Sequence, residues 1–318
     1  MKYINQFKEG DSIVGIYLCR QKNRAQTRAG KDYENVTMQD KTGSISCKIW
    51  EPDSVGIGDF DVFDYVELHG RVSMFNGALQ LSIDKARKAR EGTYNPGDYQ
   101  PVSPKNIEIM YTELLEFAAS VKSPYFQLLL RKFFVDDEDF AARFKAHSAA
   151  KSVHHGFIGG LLHHTLSVVK LCDFYCTQYP QLDRDLLITA AMCHDIGKTA
   201  ELSDFPYNDY TDEGQLIGHI VIGVEMIDEK TAQIDGFPKK RAAELKHCIL
   251  AHHGEYEYGS PKKPAILEAI ALNFADNTDA KIETMTEALE NTVPAYPNAD
   301  GWLGYNKFFE SNIRPTSK

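Results

Sequence analysis

The chain has 318 residues, 43% of them hydrophobic and 25% charged, a composition that excludes a disordered or collagen-like protein and suffices for two ordinary domains. Its formal net charge of −10, taken alone, argues against a nucleic-acid partner. Six cysteines (Cys19, Cys47, Cys172, Cys176, Cys193, Cys248) contain no C-x-x-C pair and read as reduced core thiols; without a signal-peptide core or a long apolar run, the expectation is a soluble cytoplasmic protein with no membrane partner.

β-rich runs open the chain, at 11–18, 33–39, 44–50, 65–73 and 78–83, parted by turn signals that include Asp40-Lys41-Thr42-Gly43 and Asn76-Gly77. Five short strands suit a small closed barrel. The pattern resembles an OB-fold, whose strand 2–3 face and adjoining loops hold single-stranded nucleic acid. The charge is uneven: residues 1–90 carry 14 Lys and Arg against 12 acids, the remainder 21 against 33. Arg20, Lys22, Arg24, Arg28 and Lys31 fall within twelve residues that hold no acid. They read as a basic loop between the first two strands, suited to phosphates. Tyr33 and Phe75 are candidate surfaces for stacking bases, worth about 1–3 kcal/mol per base, whereas Trp50 is expected inside the barrel.

Residues 91–104 bring three prolines and two glycines without apolar periodicity and read as a linker. From residue 105 to 318 the apolar spacing is helical, over 107–121, 124–135, 136–147, 161–175, 184–198, 216–229, 239–253 and 265–289. Pro124 suits a helix start. The expected architecture is multidomain: a small all-β barrel in residues 1–90, the linker, and an all-α domain with a C-terminal tail.

Histidines and acids interrupt these helices where they are otherwise apolar: His164 in GLLHHTL, His194-Asp195 in AAMCHDIGK, His219 in LIGHIV, His252-His253 in LAHHGEYEYGSP and Asp276 in NFADNTDAK. A buried imidazole or carboxylate without a partner costs a few kcal/mol, and a shared cation is the simplest compensation. His194 and Asp195 are expected at a helix end that bends at Gly197. His164 and Asp276 are expected to complete one site, and His219 with one or both of His252 and His253 to hold a second metal, with Asp195 bridging. Two cations about 3.5–4 Å apart clamp the attacking and leaving oxygens of a phosphoryl group. The mixed N/O set suits one or two divalent ions, manganese first, with Co, Fe, Ni, Zn or Mg as alternatives. His163, about 100° round the helix from His164, is expected to face elsewhere, and His69 and His147 to lie on the surface.

This arrangement resembles the HD superfamily of metal-dependent phosphohydrolases. With the flanking runs HHGFIGGLLHHTLSVVKL, CHDIGKTAELS, GQLIGHI, AHHGEYEYGSPKKP and ADNTDAK, the chain is more narrowly similar to the bacterial OB-plus-HD 3′→5′ exoribonucleases of the YhaM type, over nearly its whole length. The resemblance implies stepwise hydrolysis of single-stranded RNA, and of DNA as a second substrate, to nucleoside 5′-monophosphates. It implies a catalytic role for Asp195, Lys198 at the scissile phosphate, and substrate contacts from His154-His155 and from Lys262 and Lys263. Asp279, one turn beyond Asp276, is expected to orient a ligand. The barrel would raise the local concentration of the RNA end. Two alternatives stand beside this reading: an HD phosphohydrolase acting on nucleotides or cyclic dinucleotides with a regulatory barrel, and a non-catalytic nucleic-acid-binding adaptor. Oligomerisation is left open.

Overall fold

The computed structural model describes residues 1–27, 29–75, 77–100, 102–150, 156–291 and 301–317. The chain forms two compact units, Met1–Val102 with Phe205–Tyr207, and Ser103–Asp204 with Asn208–Lys318.

In the first unit, β1 (Ser12–Gln26), β2 (Asp32–Asp40), β3 (Gly43–Ile49), β4 (Tyr65–Phe75) and β5 (Ala78–Lys88) close into a barrel in the order β1-β2-β3-β5-β4. β3 and β5 pair in parallel and the other neighbours antiparallel. This is an OB-fold. Alternation along the strands turns Val36, Met38, Leu68 and Leu81 inward to one core with Tyr17. The β2–β3 turn is held by Asp40, whose buried carboxylate accepts from Thr42 N (2.7 Å), Thr42 Oγ1 (2.6 Å) and Ile4 N (2.7 Å).

Three expectations for this unit need correction. The first strand does not end at Leu18: it bends at a bulge between Cys19 and Gln21 and continues, pairing Gln21–Gln26 with Asp32–Thr37. Arg20, Lys22 and Arg24 therefore lie on a strand, not on a loop. Trp50 is 52% exposed, because Ile45, Cys47 and Ile49 take the inward positions of β3 and the next residue must face out; it packs on Tyr33 at 5.4 Å between ring centroids. The segment read as a linker lies against the barrel through residue 100. Tyr94 stacks on Tyr65 at 3.9 Å, Tyr99 is buried, and Asp98 accepts from Lys41 (2.8 Å) and from the Tyr3 hydroxyl (3.0 Å).

The second unit is helical: α1 (Ile107–Ser120), α2 (Pro124–Phe134), α3 (Glu138–Ala146), α4 (Gly160–Gln178), α5 (Arg184–Cys193), α6 (Lys198–Glu201), α7 (Asp212–Leu216), α8 (His219–Ala232), α9 (Lys239–Ala251) and α10 (Leu267–Asn291), followed by a small hairpin of β6 (Gly304–Asn306) and β7 (Ser311–Ile313). Helix starts follow local chemistry. Asn106, Asp137 and Asp183 cap α1, α3 and α5 by accepting from the backbone N–H three residues on, and Pro124 opens α2. Phenylalanines 126, 133, 134, 140 and 144 pack with α4 and α5 into one core. Every side chain of α5 from Leu186 to Cys193 is buried, so a polar residue at the end of that helix is committed to an interior site.

The helix expected over 184–198 stops at Cys193, and residues 194–197 form a turn before α6. The helix expected from 216 starts instead at His219, since Gly218 has φ 79°, outside the helical region. His147 is not on the surface: it is 4% exposed, with Nε2 3.2 Å from the Leu202 carbonyl and Nδ1 3.2 Å from that of Ser148. Among the described residues, no helix is long and apolar enough to cross a membrane.

Candidate metal centre

Seven of the side chains singled out in the sequence converge in the second unit. His164 projects from α4, His194 ends α5, Asp195 follows it, His219 opens α8, His252 and His253 follow α9, and Asp276 sits within α10. They form two groups, His164–His194–Asp276 and His219–His252–His253, each with its ligand atoms within 4.8 Å of one another. Asp195 lies between them. Its Oδ2 is 3.2 Å from His194 Nε2 and 3.5 Å from His164 Nε2, and its Oδ1 is 3.6 Å from His219 Nε2 and 3.7 Å from His252 Nε2.

The imidazoles share one orientation. Each holds Nδ1 against an oxygen: His164 against Asp279 Oδ2 (2.7 Å), His194 against the Ala191 carbonyl (2.8 Å), His219 against Glu201 Oε1 (2.8 Å), His252 against the Ile249 carbonyl (2.7 Å) and His253 against the Tyr258 carbonyl (2.8 Å). A carbonyl or carboxylate can only accept, so Nδ1 carries a proton in each ring, and in the neutral form Nε2 presents its lone pair to the interior. Asp195 Oδ1, His219 Nε2 and His252 Nε2 are buried without a hydrogen-bond partner. Such atoms cost about 1–3 kcal/mol each, and a divalent cation is the group that satisfies lone pairs and carboxylate oxygens together. The donor set fits one.

Electrostatics keep two of these rings neutral and favour the charged form of a third. Burial, reinforced by His253 at His252 and by His219 at His253, holds both below the ordinary histidine range, in the neutral form that ligates. Burial opposes charge on His164 too, yet Asp276 and Asp279 outweigh it and raise its pKa to about 9. Burial would also neutralise Asp195, but Lys198 and His194 keep it well below the usual carboxylate range. Lys198 Nζ lies 2.7 Å from Asp195 Oδ2 and stays protonated, since that carboxylate overcomes its own burial.

Two local features position these groups. Gly197 has an ordinary helical φ of −63°, so it serves close approach and not the bend expected of it: a Cβ there would stand 2.0 Å from the His219 carbonyl oxygen. The HHGEYEYG loop folds over a turn at Tyr256–Tyr258 that brings the Tyr258 carbonyl to His253, and Asn273 Nδ2 donates to the His252 carbonyl at 2.7 Å. A cleft of about 670 Å³ opens beside the centre, and His164, Lys198, His253 and Asp276 are on its walls.

The other expected substrate residues are dispersed. In the barrel, Lys22 is turned onto the Phe60 ring (4.2 Å) and carbonyl (2.8 Å) and Arg20 onto the Phe63 ring (5.1 Å). Arg24 pairs with Asp32 and Asp53, while Lys31 is exposed. Tyr33 packs between Trp50 and Lys48, whose Nζ is 4.7 Å from its ring, and Phe75 is 58% exposed. In the helical unit, Lys262 is exposed and Lys263 pairs with Glu255 at 2.5 Å. Arg28, His154 and His155 lie outside the described residues. Sequence reasoning missed Glu201, which receives both Nδ1–H and backbone N–H of His219. It also missed Asn273 and the tail residues Phe308 and Phe309 on the cleft wall.

A barrel of this topology joined to a helical unit with paired His/Asp clusters defines an OB-plus-HD protein, and residues 161–281 match the HD domain family. The chain is 33% identical over 294 residues to the 3′-5′ exoribonuclease YhaM of Geobacillus sp. (strain WCH70), covering 92% of this chain and 90% of that protein. It is 32% identical to the proteins of that name from Bacillus velezensis, over 90% of both chains, and from Listeria welshimeri, over 92% and 93%. Among solved structures, the second OB-fold domain of replication protein A from Methanococcus maripaludis aligns at 17% identity, over 29% of this chain and 98% of that one, with a TM-score of 0.22. The chain belongs to the YhaM family of 3′-5′ exoribonucleases.

Proposed function

We propose that the protein is a metal-dependent 3′→5′ exoribonuclease that trims single-stranded RNA to nucleoside 5′-monophosphates in the cytoplasm, with manganese as its working ion. Family membership supports the activity. The observation that carries the chemistry is the common orientation of five imidazoles, each with Nδ1 tied to an oxygen, four of which, His164, His194, His219 and His252, bring Nε2 to Asp195.

His164, His194 and Asp276 would hold one cation, His219, His252 and His253 a second, and Asp195 would face both with its two oxygens. Bound divalent ions supply Lewis-acid stabilisation of a phosphodiester and lower the pKa of water. The chain's own groups do the rest. Glu201 and Asp279 fix the tautomers of His219 and His164. Lys198, protonated and on the cleft wall, neutralises a non-bridging phosphate oxygen next to Asp195. In the barrel, Tyr33, Trp50 and Lys48 form an aromatic-basic cluster suited to bases and phosphates of a single strand, and Lys31 and Phe75 are exposed elsewhere on the same unit. Tethering such a module to the catalytic unit raises the effective concentration of the RNA end, an effect that salt weakens.

The test is a time course on 5′-labelled single-stranded RNA with Mn²⁺ or with chelator, resolved on a sequencing gel. A metal-dependent ladder that shortens from the 3′ end and keeps its label is expected. Uncut RNA in both conditions, with mononucleotides or cyclic dinucleotides hydrolysed, would replace this reading.

A further inference from the structure

The tail ends in a hairpin whose tip enters the catalytic cleft. β6 and β7 pair Gly304 with Ile313, Tyr305 with Asn312 and Asn306 with Ser311, and Ile313 is buried. The connecting loop is held from within, because Asn306 Oδ1 accepts the backbone N–H of Phe308 (2.9 Å) and of Phe309 (3.3 Å), an Asx-type turn. Despite this anchoring, Phe308 is 55% exposed. It packs edge-on against Phe309, with centroids 5.1 Å apart and planes at 77°, which leaves its own surface open. Phe308 and Phe309 share a cleft with His164, Lys198 and Asp276. The walls differ chemically: in one part the helices contribute the ligands and the ammonium groups of Lys198 and Lys281, and in another the hairpin tip contributes an aromatic pair followed by the carboxylate of Glu310.

A phosphate is drawn to the first part and repelled by Glu310, so the tip suits the uncharged base of a bound nucleotide. We propose that Phe308, backed by Phe309, is the platform on which the base of the RNA's 3′-terminal nucleotide stacks, placing the adjoining phosphodiester at Asp195 and Lys198. This role rests on the exoribonuclease reading above. Stacking on an aromatic ring tolerates any base, since every base has a π face, as an enzyme that removes successive nucleotides requires.

The experiment compares two single-stranded RNAs, one ordinary and one with an abasic ribose as its 3′-terminal residue, with the full-length protein in Mn²⁺. For each protein the kcat/KM ratio, ordinary over abasic, is measured for removal of the first nucleotide; the ratio does not depend on the fraction of folded enzyme. The wild-type ratio is expected to be about tenfold, carried by KM. Phe308→Ala is expected to bring it to near one, and Phe308→Trp, which keeps a π face, to hold it. An equal ratio in wild type and Phe308→Ala overturns the proposal. Failure of the wild-type protein to cut either RNA overturns the exoribonuclease reading and this role with it, and is visible before any variant is compared.

Discussion

Replacing Glu201 by Ala tests whether the tautomer arrangement makes the site. Glu201 is buried, and His219 holds its carboxylate ionised against that burial, below the usual range. Its Oε1 accepts the His219 Nδ1–H at 2.8 Å and the backbone N–H at 3.0 Å. Removing it frees the His219 ring to rotate and to place its proton on Nε2, which abolishes the lone pair facing Asp195. Loss of such an orienting partner typically lowers metal affinity about 10–100-fold, or about 1.4–2.8 kcal/mol. The effect should fall on one group only, because the Glu201 carboxylate hydrogen-bonds His219 and, among the described residues, none of His164, His194 and Asp276. Mn²⁺ titration followed by electron paramagnetic resonance should resolve a weakened second equivalent with the first unchanged, and Glu201→Gln, whose amide oxygen can still accept, should recover part of the loss. The lost hydrogen bond at the start of α8 should also lower stability by about 1 kcal/mol, a control measured on the metal-free protein. Unchanged affinity, or an equal shift of both equivalents, would refute the argument.

Asp195→Ala should abolish hydrolysis while RNA binding by the barrel persists, and should destabilise the metal-free protein by about 3 kcal/mol, because it leaves Lys198 buried without its carboxylate; near-normal turnover would contradict it. Gly197→Ala should displace the α8 backbone at His219 and weaken the second metal equivalent more than the first, as read by the same titration. Native protein should react with a thiol reagent chiefly at Cys176, the one cysteine that is not buried. Burial raises the thiol of Cys176 to about 11 and that of Cys193 to about 12, so labelling of all six without denaturant would refute their placement. Asp137 is held below the usual carboxylate range by Lys230 (2.7 Å) and by the Phe140 N–H it caps. Its folded pKa is depressed, so its contribution is complete above the unfolded value of about 4 and is lost as pH falls through the folded one. Asp137→Asn keeps the cap and should cost about 1 kcal/mol at neutral pH, with the gap to wild type in urea titrations narrowing as pH falls below the unfolded value of about 4.

The barrel and the ligands were legible for different reasons. Alternation along β2 and the Asp40–Gly43 turn mark strands locally, and each buried histidine is conspicuous because it breaks an apolar helix face. The extension of β1 was hidden because Arg20 to Gln26 are polar on both faces, with pairing to β2 and not burial keeping them extended. Trp50 was misplaced by its chemistry, since an aromatic residue suggests a core position while register places it outside. Glu201 carried no periodic signal: it ends the four-residue α6, and its partner lies eighteen residues on. The Phe308-Phe309 pair stands in the tail without any periodic pattern around it, and only the folding of the hairpin brings Phe308 to the cleft.

Three of the five imidazoles are oriented by main-chain carbonyls, those of Ala191, Ile249 and Tyr258. A peptide oxygen survives every side-chain replacement, so for these three the orienting contact is encoded by backbone path alone and is invisible to a mutational scan at positions 191, 249 and 258. Only His164 and His219 depend on carboxylates, at Asp279 and Glu201. Random mutation can thus loosen the outer support of each ion group at a single side chain, which makes those two acids the places where metal affinity can drift between relatives while every direct ligand stays the same.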